Sequence, residues 1–332
     1  MRRLLFLLAA LAAAGLGLWL SDPGDRLPRL AEILPAFPPD LPLDVVDDWV
    51  RAREGVFIDL TDGAEKTVIW AGEAATRSPI SLVYLHGFSA TRAEIEPVPQ
   101  MVARALGANL FLTRLAGHGR PGAALGRVST EDWALDLDEA VGLGRRLGRQ
   151  VVLIGTSTGG SLAALATLDP DLRAGLAGVV LISPNFALRS HQARLLDLPH
   201  ARRWLPALMG AERSFAPRNA DHERFWTTSY PTAALFPMRA IQRQAGAADY
   251  SGVDLPLLVL MAEGDTVVDP AATRRVAANW GGPVTLEVIT GAEDPDQHVI
   301  AGRILSPGMS EPVAARIAGW IAELRAADMA EP

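Results

Sequence analysis

Ser157 stands in Gly155-Thr156-Ser157-Thr158-Gly159, a G-x-S-x-G pentad between the apolar run "VVLI" (151–154) and the alanine-rich run "SLAALATL" (161–168). A serine hydroxyl is a weak nucleophile near neutral pH; it needs a base, and the base needs an orienting carboxylate. The chain has six histidines: His86, His118, His191, His200, His222 and His298. Only His298 follows the last strand-like run, in "GAEDPDQHVIAG", and is placed to serve as base. Asp265, in the Gly264-Asp265 turn after "LPLLVLMA", is the expected acid. Glu263 is the weaker alternative, and Asp269, ahead of Pro270, reads as a helix N-cap. A tetrahedral intermediate also needs N–H donors. The N–H of Thr158 opens a helix and has no intrahelical partner there; that of Phe88, after the turn His86-Gly87, is the expected second donor. His86 itself reads as structural.

The pentad alone also suits a glycine-rich structural turn with Ser157 as N-cap. Its position between a buried strand and a helix favours the strained turn that stands a nucleophile clear of a sheet. The elements needed to build that edge are legible. Continuous apolar runs at 80–85, 109–115, 151–155, 178–183, 255–262 and 284–290 predict strands covered on both faces. Between them "IEPVPQMVARALG", "STEDWALDLDEAVGLGRRLG" (N-cap Ser129 or Thr130), "SLAALATL" and "DPAATRRVAANWG" predict helices. Alternation of strand and helix predicts an α/β fold with a mostly parallel, doubly wound sheet. Parallel strands deliver their C-terminal ends to one edge, so Ser157, Asp265 and His298 meet there. Residues 185–254 break the rhythm and are rich in aromatic residues, which predicts an inserted helical cap with His191, His200 and His222 as surface or packing residues. "GVFIDL" and "KTVIWAG", separated by Thr61-Asp62-Gly63, predict an opening hairpin.

Composition narrows the function classes. The chain has 332 residues, is 49% hydrophobic and carries a formal charge of -7, which offers no electrostatic case for nucleic acid. Absence of cysteine excludes disulfides, thiolate metal sites and a cysteine nucleophile. There is no G-x-x-x-x-G-K-[ST] loop and no histidine pair at metal spacing, and Glu293, Asp294 and Asp296 read as a solvated acidic loop that would raise the pKa of His298. No cofactor or metal is expected. The charge-free run Leu4–Leu20 after Arg2-Arg3 predicts a signal anchor or signal peptide at 1–20. By the positive-inside rule it leaves the rest of the chain outside the cytoplasm, anchored to the membrane or, after cleavage, secreted or periplasmic. Residues 21–44 read as a proline-rich linker touching the domain through Leu30, Ile33 and Phe37, and 45–330 as the catalytic domain with its cap.

The order Ser157, Asp265, His298, together with "LHGF" (85–88), "TRLAGHG" (113–119), "STEDW" (129–133), "GTSTGG" (155–160), "EGDTVVDP" (263–270) and Gln297-His298, resembles the α/β-hydrolases. Within that fold the chain is similar to the bacterial monoacylglycerol lipase and carboxylesterase group. The resemblance implies Phe88 and Thr158 as oxyanion donors, an architectural Gly117-His118-Gly119 and a cap that shapes an acyl pocket. Thr156 and Thr158 flank the serine where some relatives carry bulkier residues, and the N-terminal segment and linker are additions to the soluble form. The expected function is hydrolysis of carboxylic esters, with a small-molecule ester or lipid as substrate. Aminopeptidase or thioesterase chemistry on the same triad is the alternative, with Asp221 and Glu223 of the cap available to a free amino terminus. A non-catalytic membrane-tethered binding protein is the reading from a different class.

Overall fold

The computed structural model describes residues 10–17, 28 and 37–330. A seven-stranded sheet forms its centre, built from β1 (Thr67–Ile69), β2 (Ser78–Leu85), β3 (Asn109–Leu112), β4 (Gly148–Thr156), β5 (Leu176–Ile182), β8 (Leu257–Met261) and β9 (Val284–Val288). The order across it is β1-β3-β2-β4-β5-β8-β9, and only β1 runs antiparallel to its neighbour. The two short strands outside it, β6 (Glu212–Ser214) and β7 (Ser229–Pro231), pair with each other in the cap.

The continuous apolar runs of β2, β3, β4, β5 and β8 are explained by cover on both faces; the cover expected for 284–290 is not found, because β9 lies at the sheet's edge with Val284 and Val288 exposed. Along β4, Val151 and Leu153 enter one core while Val152 and Ile154 enter the other. On the first face lie α3 (Thr130–Leu147), α4 (Thr158–Ala166), α7 (Leu235–Ala247) and α8 (Pro270–Asn279). The second face is covered by α2 (Val98–Leu106) and α9 (Ser310–Ala330). Ser129 caps α3 in a capping box with Asp132, and Asp269 caps α8 by accepting from the N–H of Ala271. The long helix α9 was not among the expected elements; its Val313, Ile317, Trp320 and Ile321 fill the second core.

Between β5 and α7 the chain leaves the sheet. It forms a 3₁₀ segment (His191–Asp197), α5 (Ala201–Met209), the β6–β7 pair and α6 (Ala220–Phe225). The expectation of a helical cap misses β6 and β7, which are three residues each and too short to carry a period-2 pattern.

The opening hairpin does not form. Residues 55–60 contain no strand, Val56 and Ile58 point outward, and β1 pairs with β3 instead. A buried charge cluster decides this. α1 (Val46–Glu54) ends on Glu54, whose carboxylate receives both Arg114 Nε and Nη2 at 2.6 and 2.7 Å and the N–H of Lys66 at 3.0 Å. The Lys66 ammonium is in turn bound by Glu139 and Asp136. The intervening segment loops around this cluster, with Phe57 under the guanidinium groups of Arg114 and Arg120. Of the expected membrane segment, residues 10–17 are helical and exposed, and the remainder lies outside the described residues, as do Leu30 and Ile33. Phe37 is buried against Trp49 and Gly142. Among the described residues no helix is long and apolar enough to cross a membrane.

Candidate active site

Ser157 sits between the end of β4 and the start of α4 at φ 52° and ψ −115°, in the left-handed half of backbone space that side chains disfavour. Such a conformation costs about 1–3 kcal/mol and persists only where its surroundings hold it. They do so here: the Ser157 N–H donates to the Ile182 carbonyl at 3.0 Å, and its carbonyl accepts from Asn185 and Ser161 at 2.9 and 3.1 Å. Gly159 is required by the same turn, since a Cβ there would lie 2.1 Å from the Leu85 carbonyl oxygen. The first turn of α4 can therefore lie against the end of β2 only because this position is glycine.

The expected base and acid arrive from later strands. Asp265 follows β8 and His298 follows β9, and Asp265 Oδ2 lies 2.8 Å from His298 Nδ1. Asp265 Oδ1 accepts from the N–H groups of Val267 and Val268, both at 2.8 Å, which fixes the carboxylate. Burial pulls the His298 imidazole down. The hydrogen bond and charge of Asp265, with the charges of Glu94 and Asp294 behind it, outweigh burial and place its pKa above the usual 6.5. Glu263 is exposed and paired with Arg274, away from this arrangement.

The acidic loop differs from expectation at one residue. Asp294 is buried, and its Oδ2 accepts the N–H groups of His298 and Val299 at 3.1 and 2.9 Å. It folds the loop that presents His298. Asp296 meets Arg218 of the cap at 2.9 Å, and Glu293 accepts the N–H of Gly308 at 2.8 Å.

His86 and His118 are buried beneath the edge, with ring centroids 4.8 Å apart. His86 Nδ1 bonds the Gly87 carbonyl at 2.9 Å, and Nε2 accepts the Leu115 N–H at 3.0 Å. Burial lowers its pKa to about 4. His118 is lowered by burial as well, so both imidazoles are neutral props for the loops on either side. Among the described residues, neither the N–H of Phe88 nor that of Thr158 has an acceptor. Phe88 lies three residues past the end of β2, and Thr158 is the first residue of α4, directly after Ser157.

A cavity of about 540 Å³ opens onto Ser157 and His298. Its walls are mainly apolar: Phe88, Leu188, Phe215, Trp226, Tyr230 and Met238. His222 of the cap lines it too, edge-on to Trp226 at 4.6 Å, whereas His191 and His200 do not. Of the cap acids, neither Asp221 nor Glu223 lines the cavity; Asp221 turns outward to Arg303 at 2.6 Å. Two lining residues had no signal in the sequence reading. Asn185 follows β5 and holds Ser157 through its backbone. Glu94 lies in a short turn between Ala93 and Ile95, where nothing in the sequence separates it from Glu96, which is half-buried and paired with Arg92.

The fold and this edge define an α/β-hydrolase. Residues 82–302 match the model of the alpha/beta hydrolase family, and the chain belongs to that family. The thermostable monoacylglycerol lipase of Bacillus sp. (strain H-257) is 26% identical over 197 residues, 59% of this chain and 74% of the lipase. Among solved structures, one from a study of two metagenome-derived lipolytic enzymes, LipS and LipT, superposes with a TM-score of 0.66 at 20% identity, covering 80% of this chain and 99% of that one. The monoacylglycerol lipase of Paleococcus ferrophilus superposes at 0.54 with 17% identity, covering 78% and 98%. Both are similar in fold.

Proposed function

We propose that the chain hydrolyses carboxylic esters of apolar acids, monoacylglycerol-like lipids among them, through an acyl-enzyme on Ser157. The observation that carries this reading is the buried Asp265–His298 pair facing, across one apolar-walled cavity, a serine held in strained geometry. His298 Nε2 takes the Ser157 proton as Oγ attacks the ester carbonyl. Asp265 keeps the proton of the ring on Nδ1 and stabilises the imidazolium that forms. The oxyanion is held by the N–H groups of Phe88 and Thr158. Collapse expels the alcohol, which receives its proton from His298. Water, deprotonated by the same imidazole, then releases the acid and restores Ser157.

The ester reading is favoured over an aminopeptidase because the cap places no carboxylate of its own in the cavity; Asp221 faces Arg303 instead. The N-terminal segment fits the same picture, since an anchor at 1–20 would hold the domain beside lipid, outside the cytoplasm. A panel of p-nitrophenyl esters from acetate to laurate, set against aminoacyl anilides and an acyl thioester, tests the proposal. Turnover is expected to favour the medium or longer oxygen esters. Faster cleavage of the anilides or the thioester would overturn it.

A further inference from the structure

Resting on the ester-hydrolase reading, we infer that Glu94 is the positioning residue that holds the oxyanion loop against the nucleophile turn. Its carboxyl is buried, and one of its oxygens meets partners from two elements. Oε2 accepts the N–H of Gly87 at 2.7 Å and lies 3.0 Å from the Tyr84 hydroxyl. The same hydroxyl is 3.2 Å from Thr156 Oγ1, on the residue before Ser157. One chain of polar contacts therefore runs from Gly87, beside the Phe88 donor, to Thr156, two residues before the Thr158 donor. The fit is close enough that a Cβ on Gly87 would lie 2.6 Å from Glu94 Oε1 and 3.1 Å from Ser157 Cβ. Two N–H groups from separate loops must converge on one oxygen, and misplacement of either weakens the hole.

The second oxygen gives Glu94 a further effect. Three carboxylates line the cavity: Glu94, Asp294 and Asp296. Asp294 engages both oxygens with backbone N–H groups, and Asp296 engages its own with Thr266 and Arg218. Glu94 Oε1 has no hydrogen-bond partner among the described residues. The groups facing His298 are Asp265, Glu94, Asp294 and Asp296, with Arg218 and His222 elsewhere on the same cavity wall. Those facing Glu94 are Tyr84 and His298. Burial raises the Glu94 pKa, against the pull of the Gly87 N–H, His298 and Tyr84. Any negative charge it retains supports the imidazolium of His298.

Glu94→Gln keeps an oxygen for Gly87 and Tyr84 and removes the charge, whereas Glu94→Ala removes both. The experiment measures ester turnover and the second-order rate of fluorophosphonate phosphonylation of Ser157, each across pH. In Glu94→Ala both rates are expected to fall about 10- to 100-fold with KM little changed, the scale of a displaced oxyanion donor. In Glu94→Gln the plateau rates return to within about threefold of the parent and the acid limb moves to lower pH. Tyr84→Phe, which cuts the contact with Thr156 while leaving the Gly87 bond, is expected to lose about 3- to 10-fold in both rates; it serves if Glu94→Ala does not fold. Rates within twofold of the parent in Glu94→Ala or, failing that variant, in Tyr84→Phe, would overturn the inference. So would a Gln variant as slow as the Ala variant with its acid limb unmoved. A parent enzyme that is phosphonylated yet cleaves no ester would sink the substrate reading alone, because phosphonylation reports the positioning without a substrate.

Discussion

The active edge of the sheet and the cap above it are held by different kinds of contact. At the edge, each group is fixed by buried backbone hydrogen bonds: Ser157 by Ile182 and Asn185, Asp265 by Val267 and Val268, the base loop by Asp294. The cap is anchored at its base by Phe225 and Trp226 in the second core and by α7 on the first, while around the cavity mouth it adds exposed pairs and loop contacts: Arg218 on Asp296, Arg303 on Asp221, the Asn219 amide on the Ile304 carbonyl, and the Thr227 N–H on the Ser89 carbonyl. Exposed ion pairs contribute little and are screened by salt, whereas a buried group that loses its partner is costly. The difference teaches where each property resides. On the proposed mechanism, chemistry depends on the edge, whereas changes to the exposed pairs and cavity-facing side chains of the cap are expected to act mainly on substrate choice.

The comparison is broken most severely at the edge. Asp265→Asn is expected to lower kcat by about 10⁴-fold, because the amide favours the wrong imidazole tautomer. The parent enzyme supplies the matching pH test. On the proposed mechanism His298 must be neutral to accept the Ser157 proton, so kcat/KM is expected to fall as pH drops through its raised pKa, with the acid limb above the usual imidazole range. The limb moves lower in Asp265→Asn. Both are read from pH–rate profiles on one soluble ester. An unchanged kcat in the variant would mean that Asp265 does not orient the base.

In the cap the expected losses are smaller and selective. Trp226→Ala removes apolar wall from the cavity and should cut kcat/KM about tenfold on long-chain esters and less than twofold on acetate. An equal loss on both would show that the cap supports the edge rather than the acyl chain. Arg218→Ala should change kcat/KM by less than about threefold, and the effect should vanish in high salt. A tenfold loss that persists in salt would erase the proposed distinction between the two regions.

What the sequence disclosed follows the same division. Five of the parallel strands were legible because burial on both faces leaves an uninterrupted apolar run; β9, a half-buried edge strand, was legible from its β-branched residues, and the edge residues because strand order brings their loops together. The pentad had a definite meaning only with Asp265 and His298 downstream of it. Glu94 and Asp294 were not legible: a buried carboxylate that satisfies backbone N–H groups has the same local pattern as a solvated one. The loop at 55–66 was misread as half a hairpin because Val56 and Ile58 alternate like a strand while facing outward. What holds that loop, the Glu54–Arg114 pair, joins residues distant in sequence. α9 was overlooked although Val313, Ile317, Trp320 and Ile321 recur at helical spacing.

The central claim, that Ser157 is a nucleophile activated by His298, is tested most directly by intact-mass and peptide mass spectrometry of the protein after reaction with a fluorophosphonate. The account predicts a single adduct on the peptide containing Ser157, absent from a folded Ser157→Ala variant and formed far more slowly in His298→Ala. No adduct on well-folded parent protein, or an adduct that survives Ser157→Ala, would contradict it.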